Sequence, residues 1–436
     1  MSNFIILPTQ LFSIDILKLN KKYKYYLWEH PHYFKSYNYN KKKLILHRSS
    51  MLYYFDYLKK NKFDVTYINF YDNLPNIDSY YIIDPIDNIE LPNKDNIIEI
   101  YESPNFLGNK NLYELYRNKT DKFIFNNFYM FMKNELNILP NIKSKDKDNR
   151  KRLPNDVIIP DLMSNNEDRY YIEKAILYIN KHFPNNYGNT SDFIFPISHN
   201  SAEKWLNDFI DKKLIKFGDY EDFVSIKNDY LFHSVLSSSI NIGLLNPNYI
   251  IEKIINLKKI PMNSLEGYVR QLFWREYQRY TYIYINFDNK NYFGNNKKLS
   301  LNWYNGSTGI LPIDDCIISA FNSGYLHHIR RLMFIGNYMN LEGISPKEGF
   351  KWFMEFSCDS YEWVMKQNVL DMVFFVTGGE TMRKPYVSSS NYILNMSNYK
   401  KGEWTIIWDK KYNDFLKKNK NKLWKYRYHF RGLKNI

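Results

Sequence analysis

The spacing of apolar and polar positions changes character along the chain. Short apolar runs come first: Asn3 to Leu7, Tyr23 to Trp28, Phe63 to Phe70 and Tyr80 to Ile83. Each has the length and the aromatic or β-branched content of a buried strand. Between the second and third runs, Met51, Leu52, Phe55 and Leu58 fall at helical spacing within Ser49 to Lys60. Strand–helix–strand alternation predicts an open parallel sheet, a Rossmann-like α/β domain. From Asn137 to Arg169 the chain is rich in Lys, Asp, Asn and Pro with weak periodicity, which predicts a linker running over the surface. Beyond Asp168 the spacing predicts helices over Glu173 to Lys181, Ser201 to Phe217, Ser264 to Ile283, Asp314 to Asn340 and Ser345 to Phe356, and Asn263 with Glu266 reads as a capping box. The expected organisation is an α/β domain over 1–135, a linker over 136–190 and a larger all-α domain over 191–436, without internal repeats.

Composition sharpens this. The 40 Tyr, 30 Phe and 9 Trp supply aromatic planes that can pack a cofactor or stack bases. A formal charge of +14 favours a polyanionic partner, nucleic acid first, against the simpler reading of solvated lysines. Cys316 and Cys358 are the only cysteines, too few for a disulfide framework or a four-cysteine metal site. No apolar run approaches the ~18 residues of a membrane span, and Met1 to Pro8 lacks a signal-peptide core. The expectation is an intracellular protein, in the cytoplasm or a DNA-containing compartment, with no membrane association.

The segment Gly324-Tyr325-Leu326-His327-His328-Ile329-Arg330-Arg331 is richest in chemistry. On a helix, His328 and Arg331 share a face and His327 lies one turn before Arg331. An imidazole beside a permanent cation suits a site that holds an anionic cofactor and protonates something in front of it; an ordinary helix with a half-buried histidine is the plain alternative. Hydroxyls cluster in His233-Ser234-Val235-Leu236-Ser237-Ser238-Ser239. Gln271 and Arg275 share one helical face, and Arg270, Trp274 and Tyr277 another. Asp359 lies on the next long helix after Arg331, well placed for an ion pair, and Asn368 can hydrogen-bond a heteroaromatic edge.

Taken in order, Phe217-Gly218-Asp219-Tyr220, Ser234 with Leu236-Ser237, Glu266 to Gln271 with Trp274 to Tyr277, His327-His328-Ile329 with Arg331-Leu332-Met333, Asp359 with Tyr361 to Val364, and Lys384-Pro385-Tyr386 resemble the cryptochrome/photolyase superfamily. The likeness is to its bacterial (6-4) photolyase and iron–sulfur cryptochrome branch. It is strongest over about 200–405 and weaker in the first domain, through Leu7 to Leu11 and the helix around Leu44 to Tyr53.

The resemblance implies FAD bound in the helical domain. Ser234, Leu236 and Ser237 would lie at its phosphates, Gln271 and Arg275 would line its pocket, Arg331 and Asp359 would pair over its ring, and Asn368 would stand near the N5 edge. It also implies His328 as proton donor, with His327, Tyr386 and Tyr392 facing a flipped base, and electron transfer through Trp352, Tyr304 or Trp363. Where the branch has a tyrosine after Trp352 this chain has Phe353, and Tyr304 replaces a tryptophan further out. Pro312, Lys400 and Glu403 stand where three cluster cysteines would align, so no iron–sulfur cluster is expected and no other metal site; Trp404, Trp408 and Tyr412 would pack the region instead. The resemblance further implies a lumazine-type antenna near Trp28 and Glu29, with Trp28 replacing a smaller residue. The function implied is light-driven repair of pyrimidine dimers in UV-damaged DNA, chiefly (6-4) photoproducts, by a monomer; a non-repairing blue-light receptor is the alternative.

Overall fold

The computed structural model describes residues 2–17, 19–164, 167–430 and 432–433. Five strands form one parallel sheet: β1 (Asn3–Ile6), β2 (Lys24–Trp28), β3 (Asp64–Ile68), β4 (Tyr80–Ile83) and β5 (Ile97–Tyr101), in the order β3-β2-β1-β4-β5. Four match the predicted runs. The fifth was not foreseen, because Glu99 interrupts its apolar run and its residues stay largely exposed at the sheet edge. In register, Ile5 of β1 faces Tyr26 of β2 and Ile82 of β4. The strand order reverses between β1 and β4, the point where such sheets form a crevice. Gln10 seals it here: its side chain accepts from Leu7 N at 3.0 Å and donates to Ile83 O at 2.8 Å.

The helix predicted from Ser49 begins earlier, as Lys41–Lys60, because Asn40 caps it by accepting from Lys42 N at 2.9 Å. The same Asn40 donates to Phe321 O at 2.9 Å, so this helix is tied to the helical half from its first turn. Across the same junction Leu11 N donates to Ile242 O at 2.9 Å and Trp363 N to the buried Asp87 at 2.8 Å. Apolar side chains from both halves join in one continuous core.

The long helix Met262–Tyr284 runs through the middle of the helical half and is buried on most turns. Its expected capping box does not form. Pro261 occupies the N-cap, Asn263 donates instead to Asp219, and Glu266 accepts from Tyr129 OH and Lys145 N. The segment read as one helix over Ser201 to Phe217 is two, His199–Lys212 and Leu214–Tyr220. The C-terminal helix Glu403–Lys418 is pinned by indoles: Trp408 lies 4.8 Å from Tyr338 and donates to Ser388 O at 3.0 Å, and Trp404 donates to Lys400 O at 3.1 Å. Cys316 and Cys358 are buried, unpaired thiols. Among the described residues no helix is long and apolar enough to cross a membrane.

Candidate functional site

The stretch predicted as one helix from Asp314 to Asn340 is broken where it matters. Helix Leu311–Ser323 ends at Gly324, whose φ is +70°. A Cβ there would lie 2.6 Å from Cys358 Sγ, so only glycine fits both the backbone and the contact. Gly324 O accepts from Cys358 N at 3.0 Å, which clamps the segment bearing Asp359 against the one bearing the histidines. His327 therefore precedes the helix and His328 opens it. Neither imidazole pairs with Arg331 as helical spacing suggested: His328 turns to Asp222, and Arg331 turns to Asp359.

The Arg331–Asp359 pair is bidentate, with Nη1 2.9 Å from Oδ1 and Nη2 3.2 Å from Oδ2. Ser237 donates to Oδ2 at 2.6 Å and Ser357 to Oδ1. Burial alone would raise the Asp359 pKa; Arg331 and the two hydroxyls outweigh it and hold the carboxyl below its usual range. Ser237 is thus engaged by Asp359, and the neighbouring Ser238 and Ser239 hydroxyls are the buried ones without partners. The preceding Val235 has φ +55°, a strained conformation for a β-branched residue that turns the chain into the serines. The Ser234 carbonyl accepts from Trp205 Nε1 at 2.8 Å, and Leu236 packs in the core.

Arg275 is the most telling cation. It is buried between the rings of Phe106 and Trp363, 4.9 and 5.0 Å away. Nε donates to Asn241 at 3.0 Å and Nη1 to Asn105 O, while Nη2 has no partner among the described residues. The adjacent Glu276 is spent elsewhere, accepting from Leu107 N, Gly108 N and Tyr113 OH. Burial lowers the Arg275 pKa to about 10. A buried guanidinium without a counterion costs several kcal/mol. Together with the Ser238 and Ser239 hydroxyls, which have no partner among the described residues and lie on the helix that carries Asn241, this donor set fits an anion of the phosphate type.

Three imidazoles form a second cluster, within reach of the charge of Arg331. His233 stacks on His327 at 4.9 Å and 18°, and His328 lies 6.0 and 5.8 Å from the two. His327 is buried and neither of its ring nitrogens has a partner among the described residues; burial, then His233, drives its pKa far below normal. Burial takes His233 down to about 3. His328 differs. Its side chain is 44% accessible and its Nε2 lies 3.0 Å from Asp222. Burial alone would lower its pKa, but the Asp222 hydrogen bond and the charges of Asp222 and Glu221 raise it. Of the trio, the imidazole that faces outward is the one whose surroundings favour the proton.

Asp222 and Glu221 were missed as site residues, although they directly follow the Phe217 to Tyr220 motif. Asp222 also pairs with Arg150 at 3.4 Å. Glu221, pushed up to about 7 by burial, accepts from Asn149 at 2.9 Å and from Gln271, with Arg270 3.4 Å away. One donor atom each from Glu221, Asp222 and His328 lie within 4.8 Å of one another. With two arginines already neutralising the carboxylates, the group reads as an acid–base network rather than a metal centre.

Asn149 and Arg150 come from the expected surface linker. That segment is largely exposed, yet it also reaches the site: Asn149 is buried, Lys145 N donates to Glu266 and Asp146 pairs with Arg270 at 3.2 Å. Lys145, Lys147, Arg150 and Lys151 line an adjoining cleft of about 590 Å³. Tyr386 and Tyr392 are half-buried beside it. Burial raises both phenols, which feel the charges of Asp222 and Arg150.

Of the remaining predicted residues, Asn368 accepts from Gln278 at 2.8 Å, and Trp363 is buried 5.2 Å from Phe106. Trp352 is fully buried and donates to Trp303 O at 2.6 Å; Tyr304 donates to Glu355 at 3.0 Å. Near β2, both Glu29 oxygens are taken. Oε1 accepts from Arg48 at 2.9 Å and Tyr67 at 2.7 Å, Oε2 from Phe70 N at 3.1 Å and Tyr178 at 3.3 Å. Four donors fill a carboxylate's capacity, so these residues do not fit an antenna recognised through Glu29.

The deoxyribodipyrimidine photo-lyase-related protein family matches residues 4–83 and 85–195. That is the sheet-bearing half, where the resemblance was expected to be weaker. A (6-4) photolyase of Agrobacterium fabrum is 35% identical over 267 residues, 58% of this chain and 53% of that protein. The chain thus spans about half the length of that relative. An uncharacterized protein of Acanthamoeba polyphaga mimivirus, R853, is 48% identical over 110 residues, 24% of this chain and 85% of that one. In fold, the chain is similar to a class III photolyase from Agrobacterium tumefaciens (TM-score 0.59, 14% identity, 95% of this chain and 86% of that one) and to a Synechocystis cryptochrome (TM-score 0.61, 13% identity, 96% and 89%). Residues 4–83 and 85–195 thus match a photolyase-related family, and the chain has the fold shared by these photolyase and cryptochrome structures.

Proposed function

We propose that this protein is an FAD-dependent DNA photolyase whose substrate is the (6-4) photoproduct. One observation carries the reading: Asn241 links the buried Arg275 to the Arg331–Asp359 pair, accepting from Arg275 Nε and donating to Asp359 O, while His328, just before Arg331 in the chain, is exposed and paired with Asp222. Arg275, Ser238 and Ser239 would hold the diphosphate. Arg331 and Asp359 would present a neutral pair to the ring, and Asn368, fixed by Gln278, would offer its amide to the ring edge. When bound and fully reduced, the flavin supplies an electron on absorbing blue light.

The chain's own residues do the rest. A (6-4) lesion needs a proton moved as well as an electron, and an imidazolium supplies one near neutral pH. Asp222 keeps His328 charged and oriented, while His233 and His327 stay neutral and leave His328 the acid. Tyr386 and Tyr392 form the wall against which an extruded base stacks. The lysines and arginine of the linker cleft bind flanking phosphates.

The test is illumination of flavin-loaded protein with oligonucleotides carrying either a (6-4) product or a cyclobutane dimer. Loss of the (6-4) product in wild type, abolished in His328→Ala with flavin retained, is the expected result. Loss of neither lesion with reduced flavin present would favour a light-signalling role.

A further inference from the structure

We propose that the segment 417–429 is a second nucleic-acid site, a platform on which the bases of single-stranded DNA stack against Trp424 and Tyr428. The site is separate from the flavin and the lesion; only the choice of DNA over RNA rests on the photolyase reading.

The sequence concentrates charge here. Residues 415–436 hold eight Lys and Arg and no Asp or Glu, in a chain whose net charge is +14. Just before them, Lys411 pairs with Glu342 at 2.7 Å. Among the described residues, Lys417, Lys418, Lys420, Lys422, Lys425 and Arg427 pair with no carboxylate. Cations this dense, and not neutralised within the chain, draw a polyanion.

The rings say which polyanion. After the helix Glu403–Lys418 come a short helix, Lys420–Leu423, and a 3-10 turn, Trp424–His429. Leu423, Phe430 and Leu433 are buried and anchor the segment. Lys425 and Tyr426 fasten it further, donating to Gly378 O at 3.0 and 2.8 Å. Trp424 and Tyr428 stay outside, 47% and 76% exposed. Arg427 bridges them: its guanidinium lies 5.2 Å from the Trp424 ring centre and 4.6 Å from that of Tyr428. Its Nη1 donates to Trp424 O at 3.0 Å and its Nη2 to the Tyr428 hydroxyl at 3.1 Å. One cation therefore orders two solvent-facing aromatic side chains before any ligand arrives.

Ordered rings among unneutralised cations match an unpaired strand, which offers an aromatic face at every base and a charge at every phosphate. A duplex keeps its bases stacked inside and would use the lysines alone. A membrane surface requires a broad apolar face, and here Leu423, Phe430 and Leu433 are spent on the core. A second copy of the chain would set like charges against each other.

The experiment titrates the full-length protein, in the dark, into a fluorescein-labelled oligothymidylate of about twelve nucleotides and into an undamaged duplex of the same length, read by anisotropy. Trp424→Ala and Tyr428→Ala should each weaken binding of the single strand by about 10-fold, and together by about 10²-fold, with duplex binding unchanged. Trp424→Phe should keep most of the affinity, and Lys425→Gln should lower the salt slope of log K for the strand by about 0.7. Both rings are exposed, so the variants should melt at the wild-type temperature. A double variant that binds the strand like wild type, or equal losses for strand and duplex, overturns the proposal. So does tighter binding of an oligouridylate, which moves the site to RNA, or binding to phosphatidylserine vesicles in preference to the strand. Strand binding that depends on both rings, in a protein that repairs neither lesion, contradicts the photolyase reading alone; repair by a protein whose strand binding ignores both rings contradicts only this inference.

Discussion

Two arginines, the half-buried Arg48 beside the sheet and the buried Arg275 in the helical half, carry the same charge and meet opposite fates. Arg48 donates to Glu29 at 2.9 Å and Asn69 at 2.8 Å, and its guanidinium lies 3.9 Å from the Tyr178 ring centre. Burial alone would lower its pKa, but Tyr67 and Glu29 raise it above the usual arginine value. Arg275 has amide partners, aromatic faces and no carboxylate, and burial lowers its pKa. The first cation brings its own counterion and completes a structural cluster. The second leaves charge and hydrogen-bonding capacity uncompensated, which a folded chain tolerates where a ligand supplies the missing anion.

The largest expected effect tests the first half of that contrast. Arg48→Met strands the buried Glu29 carboxylate and should lower stability by about 3–5 kcal/mol, whether or not flavin is present. Urea unfolding with and without FAD measures it, and a loss confined to the flavin-bound form would erase the distinction between the two arginines. Arg275→Met should do the reverse: apo-protein stability unchanged or higher, and FAD affinity weaker by about 10²–10³-fold, equivalent to about 3–4 kcal/mol.

A smaller effect belongs to the mouth of the site. His328 has a raised pKa, so its ion pair with Asp222 contributes stability below the ordinary imidazole pKa and loses it as pH rises through the raised value. The lowered Asp222 pKa contributes above the ordinary carboxylate range and is lost on acidification. Repair should therefore fall on the alkaline side as His328 loses its proton. Asp222→Asn should move that limb of the pH–rate profile to lower pH, and an unmoved limb would show that another group supplies the proton. The smallest effect concerns the cleft. Lys147→Ala should weaken binding of damaged and undamaged DNA alike and reduce the salt slope of log K by about 0.9.

Much of the fold was legible because strands and long amphipathic helices announce themselves by period. What the pattern hid was local. One glycine at Gly324 breaks a helix whose apolar spacing runs straight through it, and the break sends His328 to Asp222 rather than to Arg331. The Arg331–Asp359 pair was legible from opposite charge, although Asp359 lies in the turn after helix Pro346–Phe356 and not on the long helix expected. Asp222, His233 and Arg150 were not, since each reaches the site through a turn or a linker whose course is set by tertiary contacts such as Asn149 to Glu221. Low periodicity in the linker did signal irregular backbone, and most of its residues are exposed as polarity suggested; what it hid is the buried Asn149 and its contact with Glu221.

The central claim is that Arg275 and its neighbouring hydroxyls await the diphosphate of a flavin dinucleotide. Calorimetric titration of the apo-protein with FAD, and separately with riboflavin, tests it most directly. The account predicts tight FAD binding, much weaker riboflavin binding, and loss of that preference in a folded Arg275→Met protein. Equal affinity for FAD and riboflavin in wild type, or an Arg275→Met protein that still prefers FAD, would contradict it.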